Sequence, residues 1–222
     1  MSISIAIDGP AGAGKSTIAK MLTKKLNYTY LDSGAMYRTI TYLVCNENID
    51  FNDNEKVVKV TKNTEIDINY NDNKFKIFIN NIDITNKIRS NIVDKNVSTI
   101  AQIKGVRDEL VKKQRKLAKS KDIVMDGRDI GTRVLPNADY KFYITATVEE
   151  RANRRYKDII DRGESNKTLE EVKNEIIKRD KIDSNRKYSP LKKAKDAIVV
   201  DTTNMSKKEV LQKLLSHIKG EQ

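Results

Sequence analysis

One cysteine, Cys45, is present in 222 residues, so an internal disulfide and a Cys-rich zinc site are both excluded. It reads as a small packing residue, not a nucleophile. Histidine is equally scarce: His217 stands alone near the end of the last helical pattern, where a structural or solvent-exposed role fits better than that of a phosphate carrier. Long hydrophobic runs are missing, and stretches of a few apolar residues cannot span a bilayer. The opening SISIAI is strand-like, without a basic leader or cleavage site, and the chain reads as cytoplasmic. Repeats, Pro/Ser linkers and low-complexity tracts are absent too. With 38% hydrophobic and 33% charged residues, the length suits one domain, residues 1–222, around a moderate core. No apolar stripe exceeds core needs, so a monomer is expected.

Acidic residues are the scarcer charge, 31 against 43 basic ones, leaving a formal net charge of +12. That balance admits nucleic acid, a membrane surface or small anions as partners. Most of the bases are lysines scattered among Ile and Asn, the pattern of a solvated surface. Arginines are few, 12 in all, and 10 of them fall from Arg107 onward. Arginine kept against a lysine-rich background points to bidentate phosphate or carboxylate binding. The expectation is a focused site for small anions, with no nucleic-acid and no membrane partner.

Short apolar, β-branched runs at 2–7, 28–31, 123–125, 140–145 and 197–200 predict strands. Helical periodicity begins near residue 15 with Ile18, Leu22 and Leu26, and returns at 35–44, 106–117, 148–160, 169–183 and 207–218. Alternating strand and helix predict an α/β fold of three layers, a parallel sheet covered on both faces. Residues 65–79 break that rhythm. EIDINY and KFKIFI alternate around Asn71-Asp72-Asn73, a hairpin signature, and a third run follows at 82–84. A hairpin does not readily join a parallel sheet, so 54–97 is predicted to be a small β-containing insert beside it.

Gly9-Pro10-Ala11-Gly12-Ala13-Gly14-Lys15-Ser16 matches G-x-x-x-x-G-K-[ST], with a strand before and a helix after. The glycines let backbone N–H groups fold around phosphates, and the helix adds its positive end. Lys15 is expected at the β- and γ-phosphates and Ser16 on Mg²⁺. The triphosphate-binding set is thus Gly9 through Ser16 with Thr17. No guanine-reading N-K-x-D occurs, and the length leaves little room for motor appendages. What accepts the phosphate is then the question.

Three patches bear on it: LDSGAMYR at 31–38, Asp126-Gly127-Arg128-Asp129, and Arg179-Asp180 followed by Asp183-Ser184-Asn185-Arg186. On a helical wheel Val172, Ile176, Arg179, Asp183 and Arg186 lie within about 40° of one direction, so an apolar stripe turns charged without changing face. Such a stripe reads as ligand-facing. Together with GPAGAGKS, these patches resemble the bacterial cytidylate kinases over essentially the whole chain. The resemblance implies a P-loop kinase fold, with the insert as nucleoside-monophosphate-binding region, and ATP-dependent phosphorylation of CMP and dCMP with Mg²⁺.

The resemblance places Arg38, Arg128 and Arg179 near the acceptor phosphate, with Arg186 alongside. It also places Asp183 on the ribose hydroxyls with Ser33 nearby, and Asp129 and Ser98 at the base edge opposite Arg107. Cytosine offers an amine donor where uracil offers an acceptor oxygen, and a carboxylate only accepts. A serine before an apolar helix is also a common cap, a second role open to Ser98. For Asp126, closing an apolar strand, two roles stand open: a Mg²⁺-bound water, or a hydrogen bond to the P-loop. Residues 149–165 are expected to form a helical lid in which Arg151 and Arg155 meet the transferring phosphoryl, Arg154 being less clearly aimed. The expected catalytic set is Lys15, Arg128, Arg151 and Arg155. A kinase for another acceptor, such as UMP or shikimate, and a nucleotide-gated nucleic-acid-binding module are the rival readings.

Overall fold

The computed structural model describes residues 2–71, 74–119, 121–161, 163 and 167–220. Five strands form one parallel sheet: β1 (Ser4–Asp8), β2 (Thr29–Asp32), β6 (Ile123–Gly127), β7 (Tyr140–Thr145) and β8 (Ile198–Asp201). Their order is β2-β6-β1-β7-β8. The chain leaves central β1 toward one edge and later crosses to the other, which opens a crevice at the carboxyl ends of the strands. Register brings polar residues to that end, with Ile7 and Asp32 both opposite Asp126. Four strands run one or two residues past the expected apolar runs. The added residues, Asp8, Asp32, Asp126, Gly127 and Asp201, still belong to the ladder although they are not apolar.

Side chains alternate across the sheet and feed two cores. Ile5, Ile7, Val124 and Phe142 face α1 (Lys15–Leu26) and α8 (Lys207–Lys219), whose Leu22 and Leu214 are fully buried. Ala6, Ile123 and Met125 face α2 (Ser33–Asn46) and α5 (Lys104–Ala118) through Met36, Ile40 and Leu110. These are the three expected layers. A third, separate cluster of Ala152, Ile159, Val172 and Ile176 joins α6 (Val148–Ile160) to α7 (Leu169–Ser184).

Between α2 and α5 lies a second sheet, antiparallel, of β3 (Ile66–Asn71), β4 (Lys74–Ile79) and β5 (Ile82–Asp83). The expected hairpin is present, while Asp72 and Asn73 of its turn fall outside the described residues. Two helices were not anticipated, α3 (Asn54–Asn63) and α4 (Asn91–Ile100). In α3 the β-branched Val57, Val58 and Val60 argue against a helix. The Asp53 cap accepting from the Lys56 N–H, together with burial of Val57, overrides that preference. Ile66, Ile77, Ile79 and Ile88 share one core with α2 and α5, so the segment is fastened along the sheet's flank.

Candidate active site

The P-loop crosses from β1 to α1 with backbone that other residues cannot copy. Gly9 has φ 149°, and a Cβ there would overlap the Ile144 carbonyl of β7. Gly14, at φ 87°, is the N-cap of α1 and lends it no side-chain cap, so the first-turn N–H groups are left to an anion. Lys15 Nζ is buried and donates to the Pro10 carbonyl (2.6 Å). Burial, then the guanidinium of Arg128, pushes its amine down to about 7.

Ser16 Oγ donates to Asp126 Oδ2 (2.7 Å), while the Tyr30 hydroxyl donates to Oδ1 (2.7 Å). Burial and neighbouring Asp32 push the Asp126 carboxyl up to about 6. The Tyr30 ring in turn meets Tyr70 and Phe75 of the hairpin edge-on, with centroids 5.3 and 6.0 Å away. A divalent cation finds hard oxygen donors here, a hydroxyl and a carboxylate. No cluster of three acidic, His or Cys ligands exists among the described residues. That sparse donor set fits Mg²⁺, which keeps waters and takes phosphate oxygens for its remaining positions.

The acceptor side opens from the same floor. Asp32 caps α2 by accepting from the Ala35 N–H (2.9 Å), and Ser33 Oγ donates to the Asp126 carbonyl (2.7 Å). A Cβ at Gly127 would collide with that Ser33 hydroxyl and with Ile130. After β6 the chain makes a wide turn, Ile130–Val134, whose Ile130 and Gly131 N–H groups donate to the buried Asp8 carboxylate (2.8 Å each). This turn holds Asp129 in place for a 2.5 Å ion pair with Arg107 Nη2. Arg107 also donates to the Ala101 carbonyl (3.0 Å) and lies 5.2 Å from the Tyr37 ring. Asp183 accepts from Arg128 Nε (3.0 Å) and Arg186 Nη1 (3.3 Å). Burial alone would raise the Asp183 carboxyl, but Arg128, Arg179 and Arg186 hold it below the usual range.

Arg179, like Arg107 and Arg186, has an enclosed Nε without a partner among the described residues. Burial, then Arg128 and Arg38, lower its guanidinium to about 10. An enclosed cation beside other cations, with a donor unpaired, marks a place prepared for an anion. The wheel reading holds through Asp183; Arg186 lies just past the end of α7 and reaches the same wall.

One cleft of about 1450 Å³ unites these groups. Ala11 through Thr17 line it, with Ser33, Arg38, Ser98, Arg107, Asp126, Arg128, Asp129, Arg155, Arg179, Asp183 and Arg186. Ser98 sits inside α4, whose N-cap is Ser90, so it is not a cap. Gly9 and Pro10 are buried and do not line the cleft. Arg151 departs from expectation: its side chain is buried away from the cleft, donating to the Ala146 and Ala11 carbonyls (3.0 Å each) and pairing with Asp180. Asp180 also accepts from the Ala11 N–H (3.1 Å). The two residues clamp Ala11 of the P-loop by its N–H and its carbonyl. Of the lid arginines, Arg155 and Arg154 face the cleft, and residues 162 and 164–165 of the expected lid fall outside the described residues. Asp94 and Arg89 line the cleft unanticipated. Arg89 carried a usable signal, being one of only two arginines before residue 107; Asp94 carried none. His217 is exposed near the Phe142 ring, and Cys45 is half-buried outside the site.

No helix among the described residues is long and apolar enough to cross a membrane. A structure from Eubacterium ventriosum, an uncharacterized protein, shares the fold at a TM-score of 0.53 and 13% identity, covering 99% of this chain and all of that one. A cytidylate kinase of Bacillus cereus is 49% identical over 219 residues, 98% of this chain and 96% of its own length. One from Bacillus thuringiensis (strain Al Hakam) matches to the same extent. The cytidylate kinase family model matches residues 5–220. A P-loop facing an arginine-lined acceptor wall, and a family match over nearly every residue, lead to one conclusion: the chain belongs to the cytidylate kinase family.

Proposed function

We propose that this chain transfers the γ-phosphoryl group of ATP to CMP, and to dCMP, giving CDP or dCDP and ADP. The observation that carries it is one cleft lined by the P-loop, by the Arg107–Asp129 pair and by Arg128 and Arg179. An oxygen of the CMP phosphate attacks the γ-phosphorus in line, and the bond from that phosphorus to the β,γ-bridging oxygen breaks, leaving ADP. Positioning and charge neutralisation supply the rate, with no covalent enzyme intermediate. Lys15 and the first turn of α1 hold the β- and γ-phosphates. Arg128 and Arg179 offset the repulsion between the two anionic substrates, and Arg38 holds the acceptor phosphate. Ser16 and Asp126 would hold Mg²⁺, which neutralises charge on the phosphates when bound. Arg155 serves from the lid, taken as 149–165, and residues 54–97 are the monophosphate-binding insert. Arg151 acts by bracing the P-loop. Asp183 and Ser33 face the ribose. The protein acts as a cytoplasmic monomer on small molecules, its arginines being gathered in the cleft instead of spread over a nucleic-acid face.

Asp129 reads the base. Arg107 occupies one of its carboxylate oxygens, leaving the other to accept from the cytosine amine. Arg107 Nε, enclosed and without a partner among the described residues, suits an acceptor on the same ring. Uracil would set lone pair against lone pair at Asp129. Asp129→Ala is accordingly expected to cut the CMP-over-UMP ratio of kcat/KM by about a hundred-fold. Equal use of CMP and UMP by the unaltered protein would refute this role and leave the rest standing.

Incubation with ATP and Mg²⁺ against CMP, dCMP, UMP, AMP, GMP and shikimate, with products resolved chromatographically, tests the whole. CDP and dCDP are expected as the main products. No diphosphate from any nucleotide would overturn the proposal.

A further inference from the structure

We propose that Asp94 is a positioning residue that aims two arginines from opposite walls of the cleft at the acceptor phosphate and latches the lid helix to the insert. The inference rests on the CMP-kinase reading and adds to it a residue to which no role has been given. Three elements meet at this carboxylate: Arg38 comes from α2, Asp94 from α4 and Arg155 from α6. Oδ1 lies 2.5 Å from Arg38 Nη1, a close ion pair out of line for a hydrogen bond, and Oδ2 accepts from Arg155 Nη2 at 2.9 Å. The pair is sheltered, with the Arg38 and Asp94 side chains 11% and 19% exposed.

The geometry grips each guanidinium at one end. Arg38 Nη1 donates to the Ile88 carbonyl (3.2 Å) and faces the Asp94 charge, while the opposite edge of the fork has no partner among the described residues and is left to an anion in the cleft. A bidentate fork binds phosphate through one edge, and fixing the other beforehand removes rotamer freedom that binding would otherwise have to freeze. Among the described residues Arg155 is held through Nη2 alone. Burial would raise the Asp94 carboxyl, yet Arg38 and Arg155 hold it below its ordinary range, so it remains an anion. Two cations to one anion leave the trio net positive. Without the carboxylate, Arg38, Arg155 and neighbouring Arg179 would repel one another across the cleft.

The latch follows from how the lid is built. Helices α6 and α7 have their own small apolar cluster, separate from both main cores. Polar ties therefore connect them to the body, and Arg155–Asp94 is the tie from α6 to the acceptor wall. A charge-assisted hydrogen bond of this kind orients a helix without an apolar seam that would have to be torn on opening.

Steady-state kinetics on Asp94→Ala should show KM for CMP raised about ten-fold and kcat lowered about ten-fold, with KM for ATP and the unfolding temperature nearly unchanged. Asp94→Glu should recover part of both losses. An equal rise in both KM values, or a loss that follows a lowered unfolding temperature, would reduce Asp94 to a structural residue and overturn the proposal. In an Arg155→Ala background, Asp94→Ala should cost clearly less kcat than it does alone, and simple additivity would refute the coupling. The latch has a readout that needs no acceptor. Nitroxides at Thr99→Cys on α4 and Asn153→Cys on α6, in a Cys45→Ser background, should give a narrow distance distribution in the nucleotide-free protein that broadens and lengthens with Asp94→Ala. An unchanged distribution would refute the latch. Failure of the unaltered protein to make CDP would strike the CMP-kinase reading and with it Asp94's kinetic role, while the distance measurement would still judge the latch.

Discussion

Lys15→Ala is expected to lower kcat by about a thousand-fold while the chain stays folded. Its only side-chain hydrogen bond among the described residues is to the Pro10 carbonyl of its own loop, so little of the fold depends on it. Its value lies in meeting charge that develops on the phosphates in a site that excludes water. A variant with near-normal kcat would contradict the P-loop assignment. A second consequence concerns protons. Burial and Arg128 lower the Lys15 amine to about 7, and a bound triphosphate favours its charged form and raises it again. At pH 8 the unaltered protein should thus take up a proton on binding ATP, and affinity should fall as pH climbs above 7. Calorimetry in buffers of different ionisation enthalpy reads this directly. The Ala variant should lose that uptake; if it persists undiminished, another group is responsible.

Arg179→Met should move activity and stability in opposite directions. Turnover of CMP is expected to fall about a thousand-fold in kcat/KM, because the cation set between donor and acceptor phosphates is gone. The ligand-free chain should nevertheless become more stable, by about 2 kcal/mol and a few degrees of melting temperature. Methionine keeps the apolar stem and removes an enclosed cation whose Nε lacks a partner and whose neighbours Arg128 and Arg38 repel it. This is strain retained for function. Added CMP should reverse the order, stabilising the unaltered protein far more than the variant. Thermal melts with and without CMP test both halves, and a less stable variant with full turnover would refute the assignment.

Local patterns reveal much of this molecule. The P-loop, the alternation of strand and helix, the hairpin and the charged end of α7 are each written in spacing that one window of sequence displays. What was hidden depends on distance along the chain. Helix α3 hides because Val57, Val58 and Val60 look like strand, and the Asp53 cap with burial of Val57 makes the segment helical. Strand order hides because nothing local to β6 says it pairs with both β1 and β2. Arg151 read as a lid finger because its neighbours are arginines and glutamates; its partners, Ala11 and Asp180, lie 140 and 29 residues away. Asp94 hides most completely, as an acid in a polar helix turn whose meaning comes from arginines 56 residues before it and 61 after.

The edge-on packing of Tyr30 against Tyr70 and Phe75 bears on modularity. An insert looks like a cassette, something another kinase could receive to change its acceptor. Here the hairpin's aromatic rim touches the ring whose hydroxyl holds Asp126, which in turn holds the P-loop serine. A graft that carried the hairpin without its aromatic counterpart on β2 would transplant a recognition surface and loosen the donor site beneath it. The boundary for any chimera therefore runs around Tyr30, not along the loop where the insert begins.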